Sequence, residues 1–143
     1  MTKIGVNACL LGRNVKYNGK NNFSSKLVEK LKDLEIVAIC PEVLGGLPVP
    51  RNPAEIVDGE AVTNKGLSVD YEFRKGAKKA LDIIKNEGIE LVILQSRSPS
   101  CGKGLIYDGT FSSNLIKGDG IFVKLLEENG IKAMDIEDFI ENF

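Results

Sequence analysis

No histidine occurs anywhere in the 143 residues. That absence excludes Ser-His-Asp and Cys-His catalysis, a histidine general base and any His-ligated zinc site. Any metal must be held by thiolates or oxygens. Acid–base work falls to carboxylates, lysine, tyrosine, hydroxyls or water. Cysteine is scarce as well: Cys9, Cys40 and Cys101 are an odd set of three with no Cys-x-x-Cys pair. A disulfide framework is therefore not expected in a reducing compartment. The residue six places after Cys9 is Val15, so there is no Cys-x5-Arg phosphatase loop. No apolar run approaches the roughly 20 residues of a membrane span. The start of the chain, Met1-Thr2-Lys3-Ile4-Gly5-Val6, enters a strand pattern without a signal-peptide apolar region. A cytoplasmic location and no membrane partner are expected. With a net charge of −1 there is no excess of either sign to draw the chain to nucleic acid. The chain has no internal repeat and no low-complexity tract.

What is present reads as one compact α/β domain over residues 1–143, long enough for a proper core and too short for two. Residues 3–8 form a buried first strand that ends at Cys9. Residues 10–23 are a long Gly/Asn-rich connection of the kind that often carries function. Ser24 caps a helix over about 25–34, with Leu27, Val28, Leu31 and Leu34 on its inner face. Residues 35–40 are a second strand closed by Cys40 and stopped by Pro41. Four of the five prolines lie in 41–68; this stretch reads as irregular through Arg51, followed by a hairpin, Ala54–Val57 with Glu60–Thr63, around Asp58-Gly59. A helix over 69–87 carries the stripe Val69, Phe73, Ala77, Ala80, Leu81 and Ile84, and Gly88 stops it. Residues 89–95 are a third strand. A second hairpin is expected around Asp108-Gly109, then a helix over about 119–129, a short strand at 131–134 and a closing amphipathic turn or two. The alternation predicts a three-layer domain with a mainly parallel, Rossmann-like sheet of order 2-1-3-4 and loop and hairpin insertions at its carboxyl edge.

That topology gives the cysteines a meaning. In a parallel sheet every strand's carboxyl end lies at the same edge, and ligands bind where the strand order reverses. Cys9 follows the first strand, Cys40 ends the second, and Cys101 lies just past the third, in Ser96-Arg97-Ser98-Pro99-Ser100-Cys101-Gly102. A single free cysteine is most simply a small buried hydrophobe; all three at one edge point to a shared ligand. Soft thiolates favour zinc or an iron–sulfur cluster. Structural zinc wants four closed ligands, usually in Cys-x-x-Cys pairs, whereas a 4Fe-4S cluster on three cysteines leaves one iron open. Ferredoxin-like spacing is absent, so ligand counting leaves the choice open.

Five blocks now carry a family resemblance: Cys9-Leu10-Leu11-Gly12-Arg13, Lys16-Tyr17-Asn18-Gly19, Cys40-Pro41-Glu42, Gly45-Gly46-Leu47-Pro48-Val49-Pro50-Arg51 and Ser98-Pro99-Ser100-Cys101-Gly102. In this order and over nearly the whole chain, they resemble the TudS-type thiouracil desulfidases, long a domain of unknown function. One departure is mild: Lys16 stands where the family usually has arginine. The resemblance implies a 4Fe-4S cluster on Cys9, Cys40 and Cys101, expected to be lost from protein purified in air. It implies a thiolated pyrimidine nucleobase or nucleoside as substrate, and non-redox hydrolytic C–S cleavage in which the open iron accepts the sulfide. Glu42 and Ser98 are then the catalytic pair. Tyr17, Arg51 and Ser100 surround substrate or cluster: Tyr17 by packing or by stacking on the ring, Ser100 by bonding backbone or a cluster sulfide.

Plainer roles stand beside these. Glu42 can cap a loop or pair with Arg51 or Arg97. Ser98, before a proline, can be a turn residue. Arg13, Lys16 and Arg51 read as a solvated rim. Gly45-Gly46 either lets backbone approach the cluster or makes an ordinary turn. Two further functions compete with the desulfidase: a non-catalytic iron–sulfur or metal carrier or sensor, and a small α/β ligand-binding domain whose thiols are incidental.

Overall fold

The computed structural model describes residues 3–143. Met1 and Thr2, which precede the expected first strand, lie outside the described residues. Four parallel strands form the central sheet in the order β2-β1-β5-β8: β1 (Lys3–Asn7), β2 (Glu35–Ile39), β5 (Leu91–Leu94) and β8 (Lys132–Asp135). This is the order read from the sequence, with β5 and β8 as its third and fourth strands. β1 lies between β2 and β5, pairing Asn7 with Ile39 on one side and Val6 with Ile93 on the other. Three carboxyl ends therefore sit side by side.

Helices cover both faces. α3 (Asp70–Asn86) and α4 (Ile121–Glu128) pack on one face, where Phe122, Leu126, Ala80 and Ile84 bury against Val92 and Leu94. α1 (Ser25–Lys30) and α5 (Ile136–Asn142) pack on the other, with Leu27, Leu31 and Phe139 against Val6 and Ile93. Within β5 the alternation of Val92 and Leu94 with Ile93 serves both cores, as a strand buried on both faces requires. The Ser24 hydroxyl caps α1 by accepting from the Leu27 amide at 3.2 Å. α1 is shorter than the 25–34 expected, and Val28 is 37% exposed rather than buried. The helix ends before Leu31, yet Leu31 is buried and Leu34 packs, partly buried, against the same core as Leu27.

Both hairpins form. β3 (Ala54–Val57) and β4 (Glu60–Thr63) pair across Asp58-Gly59, both with positive φ as a tight two-residue turn demands. β6 (Leu105–Tyr107) and β7 (Leu115–Lys117) bracket residues 108–114.

The segment expected to be irregular through Arg51 instead begins with a short helix, α2 (Pro41–Leu44). Pro41 stands in the first helical turn, where a missing N–H costs nothing. α2 lies against α3 at a crossing of two glycines. A methyl group built on Gly45 would overlap the Glu72 carbonyl oxygen, and one on Gly76 would overlap the Pro41 carbonyl oxygen. Gly45 thus serves helix packing and not approach to a ligand. This crossing fixes α2, and with it Cys40 and Glu42.

Gly45→Ala and Gly76→Ala are each expected to lower stability by about 2–4 kcal/mol, since backbone must move to admit the methyl. Gly46→Ala, with φ +95 but nothing within 4 Å, should cost only about 1–2 kcal/mol. Denaturant unfolding midpoints check the contrast; equal effects at Gly45 and Gly46 would refute the crossing.

Candidate active site

The carboxyl edge of the sheet opens into a cavity of about 530 Å³ lined by Cys9, Cys40 and Cys101 together with Glu42, Ser98, Arg51 and Tyr17. Each thiol arrives on a different support. Cys9 sits in a 3-10 turn (Ala8–Leu11) directly after β1, closed by left-handed Gly12. Its carbonyl accepts the Asn22 amide at 2.9 Å, which folds the 12–23 loop back over it. Cys40 is the residue before α2. Cys101 rides a loop pinned to the start of α4, whose Ile121 and Phe122 amides donate to the Pro99 and Ser100 carbonyls at 2.9 Å each. Gly120 is required there, because a side chain would strike the Ser100 carbonyl. Cys9 backs onto the α1/α5 core and Cys101 onto the α3/α4 core, yet both line the one cavity.

Burial dominates the thiols' electrostatics. It pushes Cys9 up to about 11, with the charge of Cys40 adding to the rise. Cys40 is raised for the same first reason, and the Cys101 thiol is pushed far above the ordinary range. Whatever holds these sulfurs as thiolates must bring positive charge with it, as a metal centre does. The three cysteines are free thiols. Among the described residues, no three His, Cys, Asp or Glu side chains are grouped closely enough for one metal ion. Structural zinc takes four ligands, and the chain offers three cysteines and no histidine. A multi-iron cluster spreads its ligands over separate irons, and a sulfur-only donor set around one cavity fits it.

The polar residues divide by role. Burial raises the Glu42 carboxyl, opposed by the Arg51 guanidinium, whose Nε donates to Oε1 at 3.3 Å. Of the two arginines offered by the sequence, Arg51 is thus the partner. It is no solvated rim: its side chain is 8% exposed. Its fork donates to the Val15 carbonyl at 3.0 Å and the Pro48 carbonyl at 3.2 Å, and its amide donates to the Tyr17 carbonyl at 2.7 Å. Arg51 therefore ties the first loop to the proline-rich segment and orients Glu42. Arg13 is exposed, as a rim residue should be, whereas Lys16 is half-buried and lines the cavity. The Ser98 hydroxyl accepts the Ser100 amide at 3.1 Å and the Cys101 amide at 3.0 Å. Ser98 is thus a turn residue, and it also lines the cavity. Ser100 is fully buried and lies against the Cys101 sulfur, which donates to its hydroxyl at 3.7 Å, outside the cavity lining.

Three comparisons bear on this arrangement. The sequence pattern of the 2-thiouracil desulfurase family matches residues 4–138. The protein YbbK of Bacillus subtilis (strain 168) is 38% identical over 139 residues, covering 90% of this chain and 92% of the relative. A solved structure of the [4Fe-4S]-dependent thiouracil desulfidase TudS is 40% identical, with a TM-score of 0.92 over 99% of this chain and 95% of that one. The chain belongs to the 2-thiouracil desulfurase family. It is an enzyme family, and the fold and order of elements are those of the TudS structure.

Sequence reasoning missed several residues of this desulfurase-family site. Asn7 lies at its floor, 4% exposed, with its amide shared among neighbouring strands. Glu55 of β3 is buried, and its Oε1 accepts the Gly109 and Phe111 amides at 2.9 and 3.1 Å. That pair of bonds bends the β6–β7 loop over the cavity, where Tyr107 and Phe111 join Tyr17 in the lining. An asparagine at a strand end and a glutamate in a hairpin carry no pattern of their own; only the loop's approach distinguishes them.

Arg51→Ala should cost about 2–4 kcal/mol by stranding Glu42 and two carbonyls. Arg51→Lys should recover less than half of that, because an ammonium cannot reproduce the fork. Equal stability of the lysine variant and the wild type in urea unfolding would show that charge alone matters there.

Proposed function

We propose that this chain is an iron–sulfur-dependent desulfidase that removes sulfur from a thiolated pyrimidine or related thio-nucleobase or nucleoside, by hydrolysis and without net redox. The observation that carries the reading is the convergence of three thiols, a half-buried carboxylate and a hydroxyl on one cavity. Cys9, Cys40 and Cys101 would hold a 4Fe-4S cluster. When bound, it supplies an iron without a protein ligand, a Lewis acid for the thiocarbonyl sulfur. The [4Fe-4S] dependence and the thiouracil desulfidase activity of TudS support this reading, and so does membership of the family.

The remaining work falls to the chain's own groups. Overall, a thiocarbonyl and water give a carbonyl and hydrogen sulfide. Glu42 takes the proton of the attacking water, and its burial-raised pKa makes it a better base than an ordinary carboxylate. Arg51 engages one of its oxygens and leaves the other without a protein donor among the described residues. Ser98 has the complementary role. A hydroxyl offers two lone pairs and one proton, and both lone pairs already accept amides. Its proton remains to donate, so Ser98 stabilises negative charge that develops on the substrate and does not act as base. Tyr17, Tyr107 and Phe111 give the cavity flat apolar walls suited to a planar ring.

Anaerobic reconstitution followed by iron and acid-labile sulfide assay should give about four of each per chain. Replacement of any one cysteine by serine should abolish both. Glu42→Gln should keep the iron and lose roughly 10²–10⁴-fold in turnover of a thiopyrimidine. Full iron with unchanged turnover in Glu42→Gln would refute the base. Iron without turnover in the wild type, across thiolated nucleobases and nucleosides, would leave a carrier or sensor.

A further inference from the structure

The amide side chain of Asn7 is a buried polar group at the site to which the proposed reaction gives no part. It is the last residue of β1, two residues before Cys9, and is 4% exposed. Its Oδ1 accepts the Gln95 amide at 2.8 Å, just beyond β5. Its Nδ2 donates to the Ile39 carbonyl at 3.3 Å, next to Cys40, and to the Cys101 sulfur at 3.4 Å. The orientation of the amide is not arbitrary. A backbone N–H can meet only the oxygen, and a backbone carbonyl can meet only the nitrogen. With one Nδ2 proton on the carbonyl, the other is held against sulfur. A single side chain thus touches all three thiol-bearing segments and is held at both ends by backbone.

We propose that Asn7 is a positioning residue that fixes Cys101 as a ligand and tunes it through an N–H···S hydrogen bond. This rests on the reading of Cys101 as an iron ligand. A neutral thiol gives its own proton to the Ser100 hydroxyl in this structure. A thiolate has none to give, accepts more strongly, and lets Ser100 turn round and donate. Cys101 then receives two hydrogen bonds, one of them from a rigid amide. Donors to a ligand sulfur withdraw electron density, raising the reduction potential of a cluster and weakening the sulfur's donation to its iron. An electron-poor centre suits a Lewis-acid role better than an electron-rich one. The bond to Gln95 is the part that Asp can keep, and the bond to sulfur is the part that Asp cannot make while ionised.

The test compares anaerobically reconstituted wild type with Asn7→Asp and Asn7→Ser, each first shown by circular dichroism and thermal unfolding to be folded. Expected are a reduction potential more negative than that of the wild type, from the lost N–H···S bond, and iron loss to a chelator about 10–100-fold faster, because the lost positioning of Cys101 outweighs its stronger donation. Ser100→Ala, which removes the other donor, should move the potential in the same direction. A folded Asn7 variant with wild-type potential and wild-type iron release overturns the proposal. If neither variant folds, asparagine-selective ¹⁵N labelling decides. A nitrogen coupling in the pulsed EPR spectrum of the reduced cluster that persists after Asn22→Ser supports Asn7, and no coupling, or one lost with Asn22, overturns it. Absence of iron from the wild type overturns the cluster reading and this proposal together, whereas iron with indifferent variants overturns this proposal alone.

Discussion

Parallel pairing of β1 with β2 on one side and β5 on the other is the constraint from which the site follows. Strands that run together end together, and the chain must leave each of them at the same edge. Cys9 and Cys40 follow within two residues of their strand ends, and Cys101 lies in the loop after β5. The residues after β1 turn in a 3-10 step, those after β2 enter α2, and those after β5 make a loop seated on α4. No part of this geometry depends on the thiols. It depends on Val6, Ile39, Val92 and Ile93 being buried in register between two helical layers.

Around that edge the loops are held by polar groups, each with an identifiable task. Asn7 joins strand ends, Arg51 joins two loops, Ser98 shapes the Cys101 turn, and Glu55 bends the β6–β7 loop inward. Buried polar groups cost free energy unless their partners are complete, so such a network fixes one arrangement and penalises its neighbours. The same low dielectric raises the thiols and Glu42. With burial raising all three, the thiols stay protonated unless positive charge is brought to them, and ionised ligands and the metal that holds them are linked in this way.

The two glycine contacts show how far the site's precision depends on packing away from it. Gly45 against Gly76 sets α2 on α3, and Gly120 against Ser100 sets the Cys101 loop on α4. Both helices belong to the same core face. Placement of two of the three thiols therefore passes through backbone contacts that tolerate no side chain, and Cys9 is placed by its own strand and the loop folded over it.

The sequence by itself determined the element order and the sheet. Alternating apolar runs, Ser24 as a cap, Gly88 as a stop and Asp58-Gly59 as a turn are local signals, written in nearest-neighbour sterics and hydrogen bonding. From these, the right-handed crossover rule leaves few topologies, and the convergence of Cys9, Cys40 and Cys101 at one edge was already legible. Tertiary structure decided what each polar residue does. Arg51 looked like surface and is buried, because its partners Val15 and Glu42 come from segments 36 and 9 residues away. Residues 41–44 looked irregular and are helical, because Pro41 starts a turn that α3 then supports. Asn7, Glu55 and Phe111 gave no signal, because a hydrogen bond between distant segments leaves no periodicity in the chain. Local chemistry is written in order along the sequence, and the partner of a buried polar group is known only when the fold brings it near.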